Sequence, residues 1–211
     1  MSYCLSVIAS FIAIVLGATT LGLATEGWQV WTAESARRLA VQESPVPLPE
    51  LWLETTGMPF SLTSDSQENS SLILLELIYT RCPTVCQLMG AEFASLQARI
   101  MEREEHPRVK LVSLSFDPDD DLRALVEYGE RYRASDRWWT LGIPNDQLEL
   151  ETFQKIVGSV VLPEPTVGYI HNAAIYAIHR GSLVAILDHD NATALDKVID
   201  QYGYVEELDL R

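Results

Sequence analysis

The chain has 211 residues, 47% of them hydrophobic, and a formal net charge of −15. This hydrophobic content is typical of a globular protein and argues against disorder. The acidic balance argues against a nucleic-acid partner, because such binding needs a basic surface. Beyond the apolar N-terminal segment, the remaining length allows one domain with a core of ordinary size.

The N-terminal segment at 5–23 is apolar and contains no charged residue. A helix of this length spans about 28 Å at 1.5 Å per residue, close to the thickness of the hydrocarbon core of a bilayer. We therefore predict a single-pass transmembrane anchor over residues 1–24. A cleaved signal peptide, with Gly22-Leu23-Ala24 as its cleavage site, is the alternative, but the apolar run is longer than a usual signal core.

A juxtamembrane linker is predicted at residues 25–49. Trp28 and Trp31 suit the lipid headgroup region. The three prolines between residues 45 and 49 predict a semi-rigid, extended spacer. The globular domain is predicted over residues 50–211.

The globular region alternates between strand and helix patterns. The predicted elements are short strands at 51–54 and 60–62, a polar loop at 65–71, a strand at 72–79, a helix at 88–101, a strand at 109–116, a helix at 122–133, a strand at 138–141, a helix at 147–157, a hairpin of strands at 173–178 and 183–187, and a helix at 192–202. This order predicts an α/β domain, a mixed sheet flanked by helices.

Two cysteines, Cys82 and Cys86, lie where the apolar strand at 72–79 gives way to a helix. Residues four apart on a helix share a face, so the two sulfurs can converge. The electropositive N-terminus of a helix favours thiolates and lowers their pKa. Thiolates serve as nucleophiles, redox pairs and soft-metal ligands, and the pair alone does not choose among these uses. The third cysteine, Cys4, lies in the apolar N-terminal segment and is predicted to be a small hydrophobe.

Three motifs follow one another along the globular region. The first is Y-T-R-C-P-T-V-C-Q at 79–87, the second is S-F-D-P-D-D-D-L at 115–122, and the third is His171 followed by a hairpin. Together they resemble the SCO/SenC family, thioredoxin-fold copper chaperones of cytochrome c oxidase assembly, whose pattern is Y-T-H-C-P-x-x-C-P, then S-x-D-P-x-x-D-T, then a distant His before a hairpin. The resemblance covers roughly residues 50 to 205 and implies a thioredoxin-like fold.

The resemblance also implies a function. Cys82, Cys86 and His171 would bind copper as Cu(I) or Cu(II). The client would be the copper-binding subunit of cytochrome c oxidase or another periplasmic copper protein, which would receive copper or have its cysteines reduced. Because such client sites lie outside the cytosol, we expect an inner-membrane anchor with the globular domain in the periplasm or the mitochondrial intermembrane space.

Some positions depart from the family pattern without removing a predicted ligand. Arg81 replaces the usual His, Gln87 the usual Pro and Leu122 the usual Thr, and Ile170 stands where many relatives carry an acidic residue. Arg81 adds a positive charge beside the thiols, which is expected to favour thiolates and could repel incoming Cu+. These departures indicate a divergent member.

Other interpretations of the same residues stay open. Cys82 and Cys86 could be the catalytic redox pair of a thiol-disulfide reductase or peroxiredoxin-like enzyme, or a structural pair. A copper sensor is a third class. Asp117 and Asp121 are predicted to cap the helix that follows them.

Overall fold

The structure is a computed structural model that describes residues 2–27, 30–68, 71–82, 85–104, 107–166 and 168–204, apart from the side chains of residues 2–5, 68, 85 and 86. The chain divides into two compact units, Met1–Glu43 and Ser44–Arg211, and each is described by itself. The predicted boundaries at residues 24 and 49 remain predictions.

The described residues of the first unit form two helices, α1 (Ser2–Ala24) and α2 (Ala33–Glu43). Within α1, Ser6–Ala24 is long and apolar enough to cross a membrane, with a mean hydropathy of 2.2. Helix α2 begins with a reciprocal cap, because Ser35 N donates to Thr32 Oγ1 and Thr32 N donates to Ser35 Oγ, both at 3.0 Å. These bonds satisfy backbone and hydroxyl groups that the first helical turn leaves unpaired.

The second unit is built on a mixed sheet with flanking helices. Its elements are β1 (Val46–Pro47), β2 (Trp52–Thr55), β3 (Phe60–Ser61), α3 (Leu62–Glu68), β4 (Leu72–Ile78), α4 (Val85–Glu102), β5 (Val109–Ser115), α5 (Leu122–Tyr132), β6 (Trp139–Pro144), α6 (Gln147–Val157), β7 (Val161–Glu164), β8 (Gly168–His171), β9 (Ile175–His179), β10 (Ser182–Leu187) and α7 (Ala192–Tyr202).

The main sheet has eight strands in the order β1-β10-β9-β4-β5-β6-β2-β3. The central strands β4, β5 and β6 run parallel, and β9 pairs with β4 in the antiparallel direction. Both edges are strands of two residues, β1 and β3. Strands β7 and β8 form a separate two-stranded antiparallel sheet, called here the β7–β8 hairpin.

Strand β4 lies in the core, and all seven of its residues are buried. Glu76 is the one ionisable residue in this apolar strand. It accepts a short hydrogen bond from Ser113 Oγ, which itself accepts a bond from Trp139 Nε1 at 2.8 Å. Burial raises the pKa of Glu76 from 4.5 to about 8, against the opposing effect of the Ser113 hydrogen bond, so this side chain is neutral at pH 7.

The predicted α/β class and mixed sheet are confirmed, with local differences. The predicted loop at 65–71 contains the end of α3 up to residue 68, and residues 69–70 lie outside the described part of the chain. Polar residues form this helix start rather than a loop, because Ser64 N donates to Ser61 Oγ and Ser61 N donates to Asp65 Oδ2.

Two further differences concern strands. Residues 46–47 of the predicted spacer pair with β10 as an edge strand. The β7–β8 hairpin was not predicted, because its sequence contains a proline and lacks the alternation that marks a half-buried strand.

Candidate metal centre

The candidate site lies at the carboxyl ends of the parallel strands β4 and β5, where ligand sites of α/β sheets are commonly found. The segment 79–82, called here the cysteine turn, follows β4. The segment 116–121, called here the acidic loop, follows β5 and leads into α5. The β7–β8 hairpin supplies a third side through Tyr169 and His171.

Cys82 ends the described part of the cysteine turn. Its side chain is buried, and its backbone N donates to Tyr79 O at 3.2 Å. Cys86 lies in the first turn of α4, which begins at Val85. The side chain of Cys86 lies outside the description, as do residues 83 and 84, so the pairing of the two sulfurs remains a prediction.

His171 is the last residue of β8 and pairs with Val161 of β7. Its Nδ1 lies 3.3 Å from the carbonyl oxygen of Asn172. A proton on Nδ1 would be donated to this carbonyl and would leave Nε2 as the metal-binding nitrogen. Burial lowers the pKa of His171 from its ordinary 6.5, against the opposing effect of the Asn172 carbonyl. The imidazole is therefore neutral at pH 7, the form that binds metals.

An aromatic cluster brings His171 to the cysteine turn. Its ring centroid lies 6.1 Å from that of Tyr79 and 5.1 Å from that of Phe116, with edge-to-face geometry in both pairs. Tyr169 joins the same cluster at 5.3 Å from Tyr79 and 5.4 Å from Phe116. Because Tyr79 stands three residues before Cys82, the rings set the hairpin against the segment that carries the first cysteine.

Gly168 allows this close approach. Its φ of +90° lies in the region that favours glycine, and an added Cβ would lie 3.4 Å from the Tyr79 ring. The described side chains contain no group of three His, Cys, Asp or Glu that could hold a metal, and Cys86 is not among those side chains.

The acidic loop holds the cysteine turn in place through Asp120. Its buried carboxylate accepts hydrogen bonds from Thr80 N at 2.8 Å, Thr80 Oγ1 at 2.6 Å and Ser115 Oγ at 2.6 Å. Hydrogen bonds to an ionised acceptor are stronger than neutral ones. Sequence reasoning missed this residue, because its pairing with Thr80 depends on the parallel register of β4 and β5.

The other two aspartates differ in role. Asp121 caps α5 as predicted, since its Oδ1 accepts from Ala124 N at 2.8 Å. Asp117 does not cap α5. Its Oδ2 accepts from the Arg81 guanidinium at 2.7 Å, and its Oδ1 accepts from Asp119 N at 3.0 Å.

Arg81, expected to place its charge beside the thiols, directs its guanidinium to the acidic loop. The same terminal nitrogen also donates to Asp119 Oδ2 at 3.1 Å. The hydrogen bond to Asp117, followed by the bond to Asp119, raises the pKa of Arg81. The positive charge is therefore matched by neighbouring carboxylates, which weakens its expected effect on incoming Cu+.

Comparison with known proteins supports the resemblance read from the motifs. The family model described as SCO1/SenC matches residues 54–197. An SCO1 protein homologue from Bacillus subtilis (strain 168) is 28% identical over 130 residues, which cover 57% of this chain and 66% of that relative. The chain thus spans just under two thirds of the length of this curated relative.

Solved structures agree with the fold. A SCO1/SenC family lipoprotein from Bacillus anthracis str. Ames is 25% identical with a TM-score of 0.65, covering 76% of this chain and 98% of its own. Yeast Sco1 with copper bound is 17% identical with a TM-score of 0.58, covering 78% and 93% of the two chains. A third structure is that of BsSco, a member of the Sco family of cytochrome c oxidase assembly proteins in which a disulfide switch was identified. It is 23% identical with a TM-score of 0.63, covering 75% of this chain and 92% of its own.

The similarity to these structures confirms the predicted thioredoxin-like fold. Because the family model covers more than half of the sequence, this chain belongs to the SCO1/SenC family.

Proposed function

We propose that this protein is a membrane-anchored copper metallochaperone that binds copper through Cys82, Cys86 and His171. It delivers the ion to a respiratory oxidase copper site, or reduces the cysteines of that site. The observation that carries the proposal is the aromatic cluster that sets the His171 ring against the turn that carries Cys82. Copper is here the cargo of the protein.

The chemistry of the donor set favours copper over hard cations. Thiolates and imidazole select soft and borderline metals, and a set of few ligands suits Cu(I). The nearby carboxylates are already engaged, Asp120 by Thr80 and Ser115 and Asp117 by Arg81. They form hydrogen bonds that shape the site, and carboxylates are poor ligands for Cu(I).

Redox state would control loading. Two thiols that close into a disulfide release two protons and pass two electrons to an oxidant such as a partner disulfide, which becomes a dithiol. The oxidised pair has no thiolate to offer, so it would release copper. The reverse exchange would return this chain to its metal-binding form.

The proposed location follows from the client. An oxidase copper site outside the cytosol requires the Ser44–Arg211 unit to lie on that side of the membrane. With Ser6–Ala24 as the anchor, the N-terminus would be cytosolic or matrix-facing, and the domain would lie in the periplasm or intermembrane space. Reporter fusions at each terminus would test this orientation.

A copper-binding experiment tests the function. The reduced full-length protein in detergent is titrated with Cu(I) against a chromophoric chelator, and the bound copper is counted. We expect one copper per chain, with affinity lowered at least about tenfold by His171→Ala, since even the loss of a partner of a ligand costs about 10–100-fold. His189→Ala is the control, and unchanged affinity in His171→Ala would contradict the proposal.

A second function, thiol-disulfide reduction by the same cysteines, is favoured by the placement of Cys86 in the first turn of α4, where the helix N-terminus stabilises a thiolate. Multiple turnovers of a disulfide peptide or of peroxide with a thiol donor, together with weak copper binding, would favour this enzyme over the chaperone.

A further inference from the structure

One buried carboxylate contacts both the cysteine turn and the β7–β8 hairpin, called here the two arms of the candidate site. The hairpin is the His171 arm. The side chain of Asp117 is 1% exposed, and its two oxygens accept hydrogen bonds from different elements. Oδ2 accepts from Arg81 of the cysteine turn at 2.7 Å. Oδ1 faces Tyr169 Oη of the β7–β8 hairpin at 3.4 Å and also accepts from Asp119 N.

The two contacts lie next to the proposed copper ligands. Arg81 directly precedes Cys82. Tyr169 stands two residues before His171 on the same strand, so the two side chains project from the same face of the hairpin. A shift of either arm therefore changes the contacts of the same carboxylate.

Arginine makes this arrangement favourable. A carboxylate as buried as Asp117 is costly without a cation or several donors. Arg81 supplies the cation while remaining largely solvent-exposed itself, with 61% of its side chain accessible. The same terminal nitrogen also donates to Asp119, so one end of the guanidinium lies between two carboxylates.

We infer that Arg81, Asp117 and Tyr169 form a polar bridge that positions the His171 arm relative to Cys82. All three act as positioning residues. The bridge gives a role to the arginine at the position where the SCO/SenC pattern has histidine, a role distinct from placing charge on the thiols. This inference rests on the proposed function for its effect on copper, but the bridge itself can be tested without metal.

The metal-free test measures amide hydrogen exchange of β8 in the full-length protein by mass spectrometry. Arg81→Gln removes the cation from the cysteine turn, and we expect exchange in residues 168–171 to rise about tenfold, the effect of losing one charge-assisted hydrogen bond. Tyr169→Phe, which removes a single hydroxyl, should raise the same rates by a smaller factor. Arg81→Lys, which keeps a cation, should restore part of the protection.

The double variant identifies the route of coupling. If both contacts act through Asp117, the combined Arg81→Gln and Tyr169→Phe effect will be smaller than the product of the two single effects. Matched controls are Arg123→Gln, in an exposed ion pair with Glu127, and Tyr204→Phe, whose hydroxyl bonds Arg103. Neither control should change exchange in β8. Independent effects of the two substitutions, or no effect of Arg81→Gln on β8, would overturn the bridge.

The copper test then addresses the site. In loaded protein we expect Arg81→Gln and Tyr169→Phe to keep the copper stoichiometry while changing the thiolate-to-Cu(II) charge-transfer spectrum and lowering Cu(I) affinity. Altered β8 exchange with an unchanged spectrum would mean that the bridge does not position the ligands. Absence of copper binding by the unsubstituted protein would refute the proposed function, and the exchange result would still decide the bridge. Tyr169→Phe keeps the test valid if Arg81→Gln fails to fold.

Discussion

The cysteine turn and the β7–β8 hairpin are held in contrasting ways. The turn continues the buried strand β4 and is fixed by hydrogen bonds to the Asp120 carboxylate. The hairpin lies outside the main sheet and contacts it through aromatic rings and through hydroxyl hydrogen bonds, from Tyr79 Oη to Tyr169 O at 3.3 Å and from Tyr169 Oη to Asp117 Oδ1 at 3.4 Å. Its opposite face is open, with Leu162 and Ile170 paired across the strands and each 56% exposed.

This contrast indicates a division of labour within the site. Charge-assisted hydrogen bonds are short and directional, whereas edge-to-face ring pairs are found over a range of centroid distances of about 4.5–7 Å. Under the proposed function, a cysteine turn held by such hydrogen bonds and a histidine held mainly by ring contacts would suit an ion that changes coordination between Cu(I) and Cu(II) and is passed to a client.

The largest expected effect is a pH dependence of stability that arises in β4, the strand that leads into the cysteine turn, and not in the hairpin. Folded Glu76 holds its proton up to about pH 8, whereas the unfolded chain loses it near 4.5. The folded state thus binds the extra proton in this window, and stability falls as pH rises from 4.5 to 8, by at most about 1.4 kcal/mol per pH unit.

Urea titrations across this pH range, with amide exchange followed in β4 and β8, would measure that effect. Exchange in β4 should rise with pH relative to the hairpin after correction for intrinsic rates. Glu76→Gln, which is neutral throughout, should flatten the slope. A slope that persists in Glu76→Gln would assign the pH dependence to another group.

The second prediction concerns the hydrogen bonds to Asp120 that hold the cysteine turn. Asp120→Ala deletes the acceptor of the bonds from Thr80 and Ser115, and we expect a loss of about 3 kcal/mol in the free energy of unfolding, together with faster alkylation of Cys82. Asp121→Ala, which removes a helix cap in the neighbouring position, should cost about 1 kcal/mol and leave Cys82 protected. If the two variants lost equal stability and exposed Cys82 equally, Asp120 would contribute no more to the cysteine turn than a helix cap does.

The third prediction concerns the approach of the hairpin. Gly168→Ala places a Cβ on a residue with φ of +90° and against the Tyr79 ring, so we expect a cost of about 1–2 kcal/mol and faster exchange in β8. Gly57→Ala is the control, because its added Cβ would lie 3.9 Å from Thr55 Oγ1, an ordinary contact. A neutral Gly168→Ala would mean that the hairpin backbone adapts freely.

The smallest effect is expected on the open face of the hairpin. Leu162→Ser and Ile170→Ser alter exposed side chains and should change the free energy of unfolding by less than about 0.5 kcal/mol. A larger destabilisation, measured by thermal denaturation, would show that this face is packed in solution and that the hairpin is held from both sides.

Sequence patterns predicted the parts of this fold in which local rules and tertiary packing agree. The buried run of β4, the α4 pattern and the Asp121 cap all follow from spacing and residue type. The predicted roles of Cys82, Cys86 and His171 depended on motif resemblance and remain proposals.

Other features depend on contacts between distant segments. Asp117 and Asp121 look alike in sequence, but Asp117 faces Arg81 because β4 and β5 end side by side. Glu76 interrupts an apolar strand, and its neutral state depends on Ser113 one strand away. The β7–β8 hairpin packs on Tyr79 and Phe116, which are distant in sequence, and its own residues carry little strand signal.

The short outer strands of the main sheet bear on self-association. A strand of two residues offers few unpaired backbone groups for docking by another molecule, and Pro47 in β1 lacks an N–H donor. Molecules tethered in a membrane diffuse in two dimensions and collide often, which favours edge-to-edge aggregation of exposed sheets. With the proposed anchor in a membrane, the short edge strands of this domain would limit such edge-to-edge association between copies.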